Sequence, residues 1–127
     1  MSTEYISSNL LVNSPLFSAG VKAGNFLYTS GQIALDASTE KLKNSSFEEE
    51  VNQCLNNIKV VLDVAGLDFK DIIKMTIFLT DTSLYNTFNE IYKNYFPNQK
   101  PARSLVGVLK LALGAKIEIE AIAYKKE

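Results

Sequence analysis

Histidine is absent from this 127-residue chain, cysteine and arginine occur once each, and no apolar run is long enough to cross a bilayer. Each absence excludes a chemistry. Without histidine there is no Ser-His-Asp triad, no His-ligated metal and no histidine acid–base pair of the kind many ribonucleases use. A single Cys54 closes no intrachain disulfide, which agrees with a reducing compartment, and a lone thiol without histidine makes no structural zinc site. The formal net charge is −1, and Lys125-Lys126 is the one basic cluster. The positive footprint that strong nucleic-acid binding needs is therefore missing. The opening stretch Met1–Tyr5 carries neither a basic nor an apolar leader region, which argues against secretion, so a cytoplasmic location is expected.

What is present describes one ordinary globular domain over 1–127, with 46% hydrophobic and 21% charged residues. Tyr5–Ser8 is β-prone and reads as an edge strand. Asn9–Pro15 reads as a loop. Phe17–Lys22 and Phe26–Ser30 flank Gly24-Asn25, a turn dipeptide, and read as a hairpin. Gly31 interrupts the returning arm, which suggests a bulge or a close backbone approach. Asp36–Lys43 is polar and reads as a surface loop.

Ser46–Ala65 is the clearest helix. Ser46 and Glu49 fit a capping box, and Glu48, Glu49 and Glu50 form a solvated acidic start. Phe47, Val51, Leu55, Ile58, Leu62 and Ala65 follow at helical spacing, and Gly66 supplies the stop. Cys54 lies beside that stripe and reads as a buried, inert thiol. Ile72–Leu79 reads as a buried strand. Leu84–Phe96 reads as a second helix, capped by Asp81 or Thr82 and closed by Pro97, with Asn89 in its middle.

Pro101–Tyr124 reads as a strand, a turn ending at Gly114 and a return strand. Along the last run Ile117, Ile119, Ala121 and Ala123 point one way, and Lys116, Glu118 and Glu120 the other. The order of elements predicts an α+β domain with both helices on one sheet face. The other face is expected to carry Arg103, Leu105, Glu118 and Glu120 in some combination and to associate with further copies. Arg103, at the head of the first run, is the one arginine among lysines. A guanidinium offers a rigid fork for a carboxylate or phosphate. A structural ion pair with a nearby Asp or Glu is the alternative.

Several separated stretches together resemble the RidA (YjgF/YER057c/UK114) family: Gly24-Asn25, Thr29–Ile33, Thr80-Asp81, Phe88–Tyr92, Pro101–Ser104 and Gly114–Ala123. The resemblance covers nearly the whole chain. It implies a chorismate-mutase-like mixed sheet with two helices on one face, and a homotrimer whose sheets form a central barrel with clefts between subunits. It implies hydrolysis of reactive 2-imino or enamine acids, such as 2-iminobutanoate and 2-iminopropanoate, to 2-keto acids and ammonia, with no metal or organic cofactor. By that resemblance Arg103 binds the substrate carboxylate and Glu118 positions or activates water. Ser30 and Gly31 line the pocket, and Asn89 contributes from the second helix. Phe17 stands where many members have tyrosine, Leu105 where many have cysteine or a small residue, and Ala112 where proline is usual. A non-catalytic metabolite binder or chaperone-like regulator is the second reading and an endoribonuclease the third.

Overall fold

The computed structural model describes residues 2–126. A six-stranded mixed sheet carries both helices on one face. Its strands are β1 (Thr3–Ile6), β2 (Gly20–Ala23), β3 (Phe26–Thr29), β6 (Ile72–Leu79), β7 (Ala102–Gly107) and β8 (Ile117–Tyr124), in the order β1-β2-β3-β8-β6-β7. β4 (Leu35–Asp36) and β5 (Lys41–Leu42) form a separate small hairpin within the stretch expected to be a loop. The helices are α1 (Phe47–Ala65) and α2 (Tyr85–Tyr92).

The helical stripe read from the sequence is the core. Val51, Leu55, Ile58 and Leu62 of α1 are fully buried against Met75, Ile77, Ile117 and Ile119 of the sheet. Ser46 caps α1 by accepting the Glu49 N–H at 3.0 Å. The expected box is half made, because the Glu49 carboxylate turns to the Ser45 N–H and hydroxyl instead. Gly66 ends the helix at φ 79°, a left-handed conformation that glycine adopts without strain.

Three expectations change. Glu50 is buried, not solvated, and its carboxylate accepts the Lys116 N–H at 2.7 Å. It stands three residues after Phe47 and four before Cys54, so helical geometry turns it inward. The second helix is shorter than 84–96. α2 proper is flanked by tight 3-10 turns at Thr82–Leu84 and Lys93–Tyr95. Finally, β7 and β8 are not hairpin partners. β7 pairs in parallel with β6, while β8 inserts antiparallel between β3 and β6. The connection between them is long enough to pass over β6, and the clean alternation of β8 suits a central strand with neighbours on both sides.

Candidate functional site

The register decides which residues share a face. Arg103 pairs with Met75 and Leu105 with Ile77, both on the buried, helix-bearing side. Glu118 pairs with Phe78 and Glu120 with Thr76, on the opposite side. The expectation that one face carries Arg103, Leu105, Glu118 and Glu120 is therefore corrected. The open face carries the two glutamates, and Arg103 and Leu105 turn toward α2 and the core.

Two clusters result. The first is built on β7 and α2. Tyr85, Phe88, Asn89 and Tyr92 lie at helical spacing i, i+3, i+4 and i+7, so one face of α2 meets the edge strand. The Arg103 guanidinium lies 5.7, 5.8 and 5.0 Å from the ring centroids of Tyr85, Phe88 and Tyr92. Its Nη1 donates to Asn89 Oδ1 at 2.8 Å, and Nη2 approaches the Tyr85 hydroxyl at 3.4 Å. No carboxylate pairs with it among the described residues. The aromatic cradle and the amide fix a half-buried cation while leaving donors free. Leu105 packs against the core from the same strand. Tyr92 is buried, and its hydroxyl has no partner among the described residues.

The second cluster surrounds a cleft of about 540 Å³. Its floor is a bulge. Thr29, Ser30 and Gly31 stand opposite only Glu120 and Ala121, between the Tyr28–Ile122 pair and the Gln32–Ile119 bridge. The Thr29 hydroxyl accepts the Ala121 N–H at 3.0 Å, standing in for a ladder bond. The Ser30 hydroxyl donates to Ser18 O at 2.6 Å, tying down the segment that carries Phe17. A serine holding two loops together is a scaffold for the wall, not a free nucleophile. Gly31 lies against Glu118, and a Cβ there would sit 2.8 Å from the Glu118 Cδ. Val12, Phe17 and Leu113 supply apolar walls, and Glu118 and Glu120 supply the polar ones. Burial, and after it the Glu120 charge, pushes the Glu118 carboxyl above its ordinary value of 4.5. Neither glutamate forms an ion pair among the described residues.

Of the residues singled out from the sequence, the structure gathers Phe17, Ser30, Gly31 and Glu118 in the cleft, and Arg103 with Asn89 at the β7 edge. It does not unite the two groups within one chain. Tyr85 and Glu120 were missed as site residues. Tyr85 was legible as the position one helical turn before Asn89, and Glu120 as the next same-face position after Glu118. The described residues include no group of three or more His, Cys, Asp or Glu that could hold a metal ion, and no helix long and apolar enough to cross a membrane.

Two helices on one face of a mixed sheet define an α+β domain matching YjgF-family structures. The chain belongs to the endoribonuclease L-PSP family, the RutC/RidA/YjgF group, whose model matches residues 10–125. It is 42% identical over 109 residues to the human 2-iminobutanoate/2-iminopropanoate deaminase, spanning 86% of this chain and 80% of that protein. It is 43% identical to a RutC family protein of Pyrococcus horikoshii over 87% of each. Among solved structures, E. coli TdcF with bound serine superposes with a TM-score of 0.90 at 35% identity, covering 97% of this chain and 99% of that one.

Proposed function

We propose that this protein hydrolyses 2-imino acids to 2-keto acids and ammonia in a cleft formed between copies of the chain, as a homotrimer. The observation that carries this is a charge mismatch with a spatial pattern. Among the described residues, one sheet edge presents a fixed guanidinium without a carboxylate, and the opposite face presents two carboxylates without a cation. A neighbouring copy that brings its Arg103 edge to the Glu118 cleft satisfies both. The open sheet face, with Phe26, Tyr28, Tyr124 and Val106 each more than a third exposed, is the apolar surface such a contact covers.

The chemistry follows from the groups present. Arg103 holds the substrate carboxylate. Glu118 faces the protonated imine carbon through a water molecule. It takes a proton as that water adds to the carbon. The resulting carbinolamine takes a proton at nitrogen, the C–N bond breaks with its electron pair leaving on nitrogen, and the hydroxyl loses its proton as the carbonyl forms. The products are a 2-keto acid and ammonium. Backbone groups near Gly31 and Ala115 hold the nitrogen or the water. Holding carboxylate and water in line provides much of the rate, since orientation alone lowers such barriers by roughly 7–11 kcal/mol in ideal cases. The raised proton affinity of Glu118, caused by burial and then by Glu120, suits a group that both accepts and returns a proton.

The test is a threonine dehydratase reaction in which 2-ketobutyrate formation is followed while a scavenger competes for the imine. The protein accelerates ketobutyrate release. Arg103→Ala abolishes the acceleration, and Arg103→Lys keeps the charge, loses the fork and falls by at least tenfold. A folded Arg103→Ala protein with full activity overturns the proposal. A binding-only role is the second reading, favoured by Phe17, which brings no hydroxyl to the cleft. Tight 2-ketobutyrate binding without ammonia release from imines establishes it instead.

A further inference from the structure

The reading above uses Arg103 and Asn89 from the β7–α2 cluster and leaves Tyr85 without a task. Tyr85 opens α2 and is 44% exposed, yet its ring packs 5.7 Å from the guanidinium. Its hydroxyl makes one contact among the described residues, accepting from Arg103 Nη2 at 3.4 Å. A phenol that accepts through a lone pair still has its own O–H to donate. Contact with a cation polarises that O–H and strengthens it as a donor.

We infer that Tyr85 is a second carboxylate-binding residue, donating its hydroxyl to the acid oxygen that Arg103 Nη2 also holds. This rests on the proposed function, because it concerns the same anion. The geometry supports it in two respects. Asn89 and Tyr85 each take one N–H from a different Nη atom, so each Nη keeps a second donor, and the Tyr85 hydroxyl stays within 3.4 Å of Nη2. An anion approaching those groups at Nη2 arrives beside the Tyr85 hydroxyl, on the exposed side of the cluster. The buried alternative is Tyr92, and it fails on access, because it is 9% exposed under the guanidinium. Tyr85 therefore tightens the subsite's hold on a carboxylate more than on an amide, because its O–H donates more strongly to a charged oxygen than to a neutral carbonyl.

Tyr85→Phe keeps the ring and its packing and removes only the donor. The protein is titrated with 2-ketobutyrate and with its uncharged analogue 2-ketobutyramide, each by calorimetry. The expected result is a loss of about tenfold in affinity for the acid, a clearly smaller loss for the amide, and a rise in KM for imine hydrolysis that exceeds any fall in kcat. Unchanged affinity for the acid, or an equal loss for acid and amide, overturns the inference. Arg103→Ala is measured in parallel to separate the two levels. If it abolishes binding of the acid while Tyr85→Phe does not weaken it, Tyr85 alone is wrongly assigned. If Arg103→Ala also binds normally, the anion site itself is wrongly assigned.

Discussion

Among the described residues, Arg103 engages the protein through only part of its donor set, and Glu118 has no cation paired with it. The second fact sets a pH dependence. Burial and Glu120 raise the Glu118 pKa in the folded state, so folding favours the protonated carboxyl. Its contribution to stability is fully present below the unfolded value of 4.5 and is lost as pH rises through the raised folded value. In an Arg103→Ala background, where no neighbouring guanidinium reaches the cleft, Glu118→Gln is accordingly expected to raise the melting temperature at neutral pH and to leave it unchanged below about pH 4, as scanning calorimetry at both pH values would show. If Glu118 is the proton acceptor proposed above, the same substitution in the otherwise unchanged protein lowers kcat by about 100-fold or more. Loss of activity without gain of stability would place Glu118 in a structural role. At this scale the sequence was informative about chemistry and uninformative about partners. The alternation of the last strand placed Glu118 on the open face, where the structure has it. The face of Arg103 was not visible, because it depended on a register set by β6, whose pairing no local pattern records.

Among the elements, α1 and the segment behind the cleft are joined by Asn57. Its buried amide donates to Ile33 O at 3.1 Å and Leu35 O at 3.0 Å, and its carbonyl accepts from Gln53 at 2.9 Å. Those two carbonyls belong to the stretch just after the bulge, so the helix fixes the far wall of the cleft. Asn57→Ala removes one donor from each, leaving Ile33 O the Leu35 N–H and Leu35 O the Gln53 amide at 3.4 Å, and is expected to cost about 1 kcal/mol, lowering Tm by a few degrees. A drop well under 1 °C would show that water replaces the amide. The helices, the turn at Gly24-Asn25 and the interruption at Gly31 were readable because each has a local cause: periodicity, a cap, a glycine. The pairing of β7 and β8 was not, since strands close in sequence pair by default, and only the whole sheet shows that β6 separates them. The inward Glu50 was readable from its spacing to Phe47 and Cys54, but its charge suggested solvent.

For the whole molecule, the two clusters on opposite faces make a sharp expectation. If the site joins Arg103 of one copy to Glu118 of another, two inactive proteins repair each other. Mixing unfolded Arg103→Ala and Glu118→Gln chains in equal amounts and refolding them together should restore activity at about a quarter of the sites. Separate refolding of each should restore none. Failure of the mixture, with mixed assemblies demonstrated by mass, would mean that both residues act from a single chain. In the trimer proposed above, the open sheet face with its aromatic cluster of Phe26, Tyr28 and Tyr124 would be the contact surface, and sedimentation should report a species three times the chain mass.

Cys54 lies at zero exposure beneath β8, beside Ile117, with its thiol pushed far above the ordinary range by burial and then by Glu50 and Glu118. A maleimide or disulfide reagent therefore reaches it only when α1 lifts from the sheet. The labelling rate at neutral pH becomes a clock for that opening event. It should slow when 2-ketobutyrate occupies the cleft, giving a readout of ligand binding that needs no catalysis.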